Sequence, residues 1–303
     1  MTDNLKIVIQ GQIGGRAQSH RFLLEISAAT IDLGHSLQLL PVGSITGAVP
    51  QDLRPHLLRT FAGRDTHDAS VDCWVAAGSA PPPDAARRIW IIPPNHAVGA
   101  TCSGDWEVYP ETRLPLGINP VRFYPGVIPF PLPLPPGKPV YLYRGPLHGA
   151  TYEKLCAGFQ NLALDQALLI ANDYGYETDA AADFETPARS KNCFIVRNIT
   201  DERHLAGLYA TAAYLIHCDA EPNLAAFEAL ACGVPVLTLN SSTPKWWSSL
   251  SLQDDTDFET IIATSINDHE SGKKRAAEAC HRIQQEFNWL QVTRRFLKLG
   301  PEK

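Results

Sequence analysis

Residues 221–240 read EPNLAAFEALACGVPVLTLN. The stretch starts on a carboxylate, Glu221, and runs through an alanine-rich helix pattern that carries a second one, Glu228. It breaks at Cys232-Gly233 and enters a short apolar strand, VPVLTL. Pro222 suits a first helical turn, where its missing N–H has no partner to lose, and Asn223 bonds locally at a helix start. The pattern predicts a helix over 222–231 followed by a buried strand, which is half of a strand–helix–strand unit.

The same alternation extends outward in both directions. Upstream lie the strand VYLYRG, a helix from about 151 to 165, the strands QALLIAND and CFIVRN, the helix DERHLAGLYATA and the strand YLIHC. Downstream, residues from about 256 to 298 have a helical pattern, with breaks near Gly272 and Asn288. A separate series occupies the N-terminal part. LKIVI (5–9) is a continuous apolar run of the kind found in buried parallel strands. A glycine-rich loop, a helix over roughly 17–33, a C-cap glycine at Gly34 and the strand HSLQLLP follow, then the strands VDCWVAA (71–77) and RRIWIIP (87–93). PGVIPFPLPLPPGKP (125–139) is too rich in proline for helix interior or central strand and reads as an extended connector. The expected architecture is α/β, with two Rossmann-like doubly wound domains facing a cleft. The first spans 1–125, with a terminal helix at about 286–303 packing back on it, and the second spans 126–285.

Composition narrows the function classes. The chain has 303 residues, with hydrophobic content 45% and charged content 19%, enough to build a core in each of two domains. A formal net charge of -6 argues against sequence-independent nucleic-acid binding, which needs excess Lys and Arg. The seven cysteines (Cys73, Cys102, Cys156, Cys193, Cys218, Cys232 and Cys280) are odd in number and form no CxxC pair, which fits a reducing compartment better than a disulfide framework or a zinc site. The N-terminus lacks the pattern of a signal peptide, and no apolar run nears the roughly 20 residues that span a bilayer. The expectation is a soluble, cytoplasmic protein.

Ligands of open α/β sheets bind beyond the carboxyl ends of the strands. Three loops qualify. Gly11 to Gly15 lets the backbone approach a ligand at a helix N-terminus, although it is not GxGxxG and Leu40-Pro41 stands where a ribose-reading acid belongs; a tight turn without ligand is the other reading. In YRGPLHG (143–149), Arg144 ends a strand and Lys154 follows on the next helix; they could hold phosphate oxygens or be solvated surface cations. In the third loop, at the opening stretch, Glu228 sits among Phe227, Ala229, Leu230 and Ala231. A carboxylate there faces water or has a fixed partner, and the vicinal hydroxyls of a ribose would be one.

These residues resemble the GT-B glycosyltransferases of the large retaining group, family four and its relatives. That family has Glu, seven residues, Glu, then Ala-x-Ala-x-Gly-x-Pro-Val; this chain has Glu228-Ala-Leu-Ala-Cys-Gly-Val-Pro-Val236. GGRAQSHRFLLEISAATIDLGHSLQLL resembles the family's first loop and helix. LPLGINPVRFYPG resembles the close of its first domain, and FNWLQVTRRFLKL its terminal helix. The chain departs from the pattern in four places, the first being Pro222-Asn223-Leu224 where the family has a glycine-rich turn between the two glutamates. Glu221 and Glu228 have six residues between them, Arg144 precedes Gly145 rather than following it, and only about 125 residues precede the connector.

The resemblance implies transfer of a sugar from a nucleotide-sugar donor (UDP-, GDP- or ADP-linked) to an acceptor, with retention and without metal. It implies that Glu228 holds the ribose and that Glu221 contacts the donor sugar, the other alignment putting Ala220 in that register with no carboxylate. His96 either matches a family histidine that touches the donor sugar or is a loop histidine without ligand. Arg144 and Lys154 would serve the diphosphate, with the helix start at Pro222, Asn223 and Leu224, while Gly14 and Gly15 would close on it. The alternatives are a catalytically silent GT-B scaffold that binds a nucleotide or a partner protein, a nucleotide-sugar epimerase, and a transferase acting on nucleic acid.

Overall fold

The computed structural model describes residues 4–11, 18–41, 71–77, 88–92, 105–108, 116–161, 167–172, 184–185, 192–196, 199, 202–219, 222–239, 247, 252–253 and 258–297. The chain divides into two compact units. One comprises Met1–Pro115 with Trp289–Lys303, and the other Leu116–Asn288.

The first unit holds β1 (Lys6–Gly11), α1 (Gln18–Asp32), β2 (Ser36–Pro41), β3 (Cys73–Ala77), β4 (Arg88–Ile92) and β5 (Asp105–Val108). Its described strands form one sheet in the order β2-β1-β3-β4-β5, parallel throughout. Sequence periodicity finds the first four strands because each carries an apolar run. It misses β5, whose sequence DWEV has none and which needs only one neighbour at the sheet edge. α1 ends where expected. Gly34 takes φ +79, and the amides of Gly34 and His35 bond back to the carbonyls of Ile31 and Thr30. Ile7, Ile9, Phe22, Leu23, Ile26 and Val75 build the core. The C-terminal helix, labelled α7 below (Trp289–Phe296), joins it: Phe22 lies edge-on to Trp289 at 5.9 Å and to Phe296 at 5.1 Å.

The second unit holds β6 (Val140–Arg144), α2 (Ala150–Asn161), β7 (Leu168–Asn172), β8 (Phe184–Glu185), β9 (Cys193–Val196), α3 (Glu202–Thr211), β10 (Tyr214–His217), α4 (Leu224–Ala231), β11 (Val236–Thr238), β12 (Leu252–Gln253), α5 (Phe258–Asn267) and α6 (His269–Glu286). The sheet runs β12-β11-β10-β6-β7-β9-β8. All described pairs are parallel except β8 with β9. Without the antiparallel edge strand β8, this is the doubly wound order in which the first strand lies in the middle and connections depart to both sides.

The two faces follow the period of two. Leu142, Ile170 and Leu215 point to the face covered by α3, α4 and α6; Tyr141, Tyr143, Leu169 and Ile216 point to the face covered by α2 and α5. At about 25 cal/mol per Å² of apolar surface removed from water, these two layers supply the dominant favourable term for the unit.

One feature differs from the sequence-level expectation. Gly272 does not break a helix. It lies inside α6, where a Cβ would stand 2.8 Å from Tyr214 Oη, so its role is close packing. The helix break falls at Asp268, between α5 and α6. The proline-rich run lies within the second unit. It is extended, and its Val127, Leu132 and Leu134 pack on the core. The Phe130 amide donates to the Gly207 carbonyl at 2.9 Å, and Gly207 lacks the side chain that would hold this strap away.

Candidate functional site

The strand order places the carboxyl ends of β6 and β10 side by side at the point where connections diverge, and a pocket of about 390 Å³ opens there. Its walls come from Tyr143–Gly145 after β6, from His148–Thr151 at the start of α2, from His217–Asp219 after β10, and from Asn223 and Ala225 at the start of α4.

Two helix N-termini therefore border the pocket. The first amides of a helix have no carbonyl one turn back, and each N-terminus carries roughly half a positive charge. Gly149, at φ +90, sets the entry to α2. At α4, Asn223 is the N-cap. Its Oδ1 accepts from the Ala226 amide at 3.1 Å, and its Nδ2 donates to Asp219 Oδ2 at 2.7 Å. The cap leaves the Leu224 and Ala225 amides in the first turn of α4, of which Ala225 lines the cavity together with Asn223. Gly145 has a steric reason: a Cβ there would meet Tyr143 Oη at 2.6 Å.

Arg144 is the cation of the wall. Its Nε donates to Asn172 Oδ1 at 3.3 Å. Its Nη1 donates to Tyr209 Oη at 2.8 Å and to Glu228 Oε2 at 2.9 Å. Tyr209 Oη in turn donates to Glu228 Oε2 at 2.8 Å. The side chain of Arg144 is 10% exposed and that of Glu228 is 0% exposed. The carboxylate thus lies beneath the wall, with the guanidinium between core and pocket. Glu228 has the fixed partner that its apolar flanks required, and that partner is Arg144.

Other groups on the wall set its local charge. Burial pushes the Cys218 thiol up to about 12, with Asp219 adding to the rise and Lys154 opposing it. Burial likewise lifts Tyr143 to about 12, helped by Cys218 and Asp219. Both stay protonated at neutral pH. His217 is buried at the end of β10, edge-on to Trp247 at 5.8 Å. Among the described residues, no three His, Cys, Asp or Glu side chains gather in a way that could hold a metal ion. No described helix is long and apolar enough to cross a membrane.

The candidates from sequence fall into three sets. Arg144, Asn223 and Glu228 come together at or just below the pocket. Lys154 is exposed on α2, with its charge reaching Cys218, and Pro222 and Leu224 flank the cap half-buried. Gly14, Gly15, His96 and Glu221 lie outside the described residues. Sequence reasoning missed Tyr209, Asn172, His217 and Asp219. A signal existed for Asn172 and His217, each a polar residue closing an apolar strand run. Tyr209 gave none, because a tyrosine on an amphipathic helix reads as core.

No protein-family model and no curated protein matches the chain. Solved structures do. A glycosyltransferase from Rickettsia africae superposes with a TM-score of 0.61 at 12% identity, covering 98% of each chain. An α-glucosyltransferase in complex with UDP gives 0.60 at 11% identity, covering 97% of this chain and 99% of that one. A glycosyltransferase involved in avilamycin A biosynthesis gives 0.56 at 15% identity, covering 97% and 96%. Identities this low speak to architecture, and over nearly the full chain that architecture is the one these glycosyltransferases share: two parallel α/β sheets of the GT-B fold.

Proposed function

We propose that the chain is a glycosyltransferase that moves a sugar from a nucleotide-sugar donor to an acceptor, with retention and without a metal ion. The observation that carries this reading is the convergence of Arg144 and two helix N-termini on one pocket at the switch point of the second unit's sheet. A leaving nucleoside diphosphate develops negative charge as the glycosidic bond breaks, and fixed dipoles with a guanidinium meet that charge without reorganising. In this reading the diphosphate lies against Arg144 and the Leu224 and Ala225 amides. Gly14, Gly15, Glu221 and His96 keep the roles that the resemblance to family four implies, on the donor sugar and its diphosphate. The α-glucosyltransferase that shares the fold binds UDP, so UDP-sugars come first among donors.

The test is a calorimetric titration with UDP-, GDP-, ADP- and TDP-sugars, followed by measurement of nucleoside diphosphate release and of the anomeric configuration of the product. Saturable binding of one donor, diphosphate release that persists in EDTA and a retained anomer are expected. Failure of all four donors to bind at millimolar concentration refutes the donor site. Binding without turnover selects the silent scaffold, which the six-residue spacing of Glu221 and Glu228 favours.

A further inference from the structure

We propose that Glu228, Tyr209 and Asn172 are positioning residues for Arg144, and that the buried carboxylate acts on a bound diphosphate through the guanidinium rather than by touching the ligand. The inference rests on the reading of the pocket as a diphosphate site.

Four elements each contribute one member: Arg144 from the end of β6, Asn172 from the end of β7, Tyr209 from α3 and Glu228 from α4. A guanidinium offers five N–H donors in a rigid fork. Here Nε and Nη1 are fixed by the Asn172 amide oxygen, the Tyr209 hydroxyl and the Glu228 carboxylate. The Tyr209 ring adds a face, with its centroid 5.9 Å from the Arg144 carbon. The acceptors are held in their turn. Asn172 Nδ2 donates to the Val196 carbonyl at 2.7 Å, which ties the amide to β9. Burial holds the Tyr209 phenol well above its ordinary value, so the hydroxyl keeps its proton and bridges Glu228 and Arg144.

A buried ion pair is a poor stabilising device, because desolvation consumes most of the attraction and well-packed apolar residues do as well. Its use lies in fixing a geometry. Protein kinases show the same logic, where a lysine must be paired with a glutamate before it serves the nucleotide phosphates. In this chain Arg144 forms the pocket wall and Glu228 lies below it, wholly buried. Both bonds to the carboxylate are made at Oε2, and the whole side chain is buried, so a direct bond from Glu228 to ribose hydroxyls would first require the wall above it to open. Orientation of Arg144 requires no movement at all.

The experiment titrates inorganic pyrophosphate, UDP and uridine into the wild type, Tyr209→Phe, Glu228→Gln and Glu228→Asp, with binding read by calorimetry and by ligand-observed NMR, and with circular dichroism showing that each variant is folded. Tyr209→Phe removes one oxygen and keeps the ring, so it stands if a Glu228 variant fails to fold. Loss of an orienting partner is expected to weaken pyrophosphate and UDP about tenfold, in the range seen when groups behind a ligand-holding side chain are removed. Uridine should be unchanged, and Glu228→Asp should recover part of the loss. Undiminished pyrophosphate binding in Tyr209→Phe and Glu228→Gln overturns the proposal. So does a Glu228→Gln variant that loses uridine while keeping pyrophosphate, which would put the carboxylate on the ribose. Pyrophosphate binding that shows the expected losses, with no nucleotide bound by the wild type, supports the positioning set and overturns the glycosyl-transfer reading instead.

Discussion

Replacing Arg144 by methionine isolates the energetics of the buried pair. The side chain keeps its length and apolar stem and loses its charge and donors. Glu228 stays wholly buried, and its Oε2 keeps the Tyr209 hydroxyl as a donor at 2.8 Å after the guanidinium is lost. At 2.9 Å and an effective dielectric of about 20, the Coulomb attraction that disappears is about 6 kcal/mol. Part of it was already offset by the desolvation of Arg144, whose burial is no longer needed. Breaking one half of a buried pair costs about 3–5 kcal/mol in practice, and the remaining tyrosine donor puts this case near about 3 kcal/mol. In a unit of this size that lowers the melting temperature by about 6–12 °C. Urea unfolding at neutral pH, followed by far-ultraviolet circular dichroism, reads the loss as a shift in midpoint at constant slope. The double variant Arg144→Met/Glu228→Gln removes the stranded charge while the amide oxygen still accepts from Tyr209. It should recover at least about 1.5 kcal/mol of the loss, a coupling of the size seen between contacting residues. A single-variant cost below about 1 kcal/mol, the level of exposed pairs, would refute the reasoning, as would a double variant no more stable than the single.

Two further outcomes are expected. The Cys156 thiol is held down at about 7, chiefly by its hydrogen bond with Cys193 and further by Tyr152, against the opposing effect of burial. Its reaction with iodoacetamide should therefore rise between pH 6 and 8 and precede labelling of Cys218, and Cys193→Ala should move the midpoint up. Because the folded value lies below the unfolded one, the associated stability is fully present above about 9 and is lost as pH falls through about 7. Urea midpoints of wild type and Cys156→Ser should diverge as pH is raised across that window. Gly207→Ala should cost about 1–3 kcal/mol by the same urea assay, despite alanine's better helix propensity, since its Cβ would stand 3.0 Å from the Ile128 carbonyl oxygen and 3.2 Å from the Phe130 amide. A neutral or stabilising alanine would show that the proline-rich strap yields without cost.

The opening stretch was legible because its signals are local. Asn223 caps, Gly233 stops the helix at φ +77, and the residues between alternate on a helical period. Arg144 was legible for the same reason, as a basic residue closing an apolar strand. Its partners were not, because Asn172, Tyr209 and Glu228 stand 28, 65 and 84 residues away and meet it only once β6, β7, α3 and α4 have assembled. Glu228 was recognised as a carboxylate that needs a partner; its burial beneath Arg144 depends on which face of α4 turns to the sheet. The short strands β5, β8 and β12 escaped notice because edge positions need neither length nor an apolar run. The proline-rich segment was rightly read as neither helix nor central strand. Where it lies depends on a gap at Gly207 that no local pattern reveals.

Strand order also governs when the pocket can exist. β6 sits between β7 and β10, and Tyr141 pairs with Tyr214 only after all the intervening chain has closed. Pairings so distant in sequence place the second unit among slowly assembling topologies. Before they form, Arg144 and His217 belong to separate parts of the chain, and a ligand has nothing to grip. Whatever fits the pocket therefore binds the finished sheet alone and adds stability by mass action, about 2.7 kcal/mol at one hundred times its dissociation constant. The supply of that ligand thereby becomes a control on the lifetime of the folded chain, independent of any turnover.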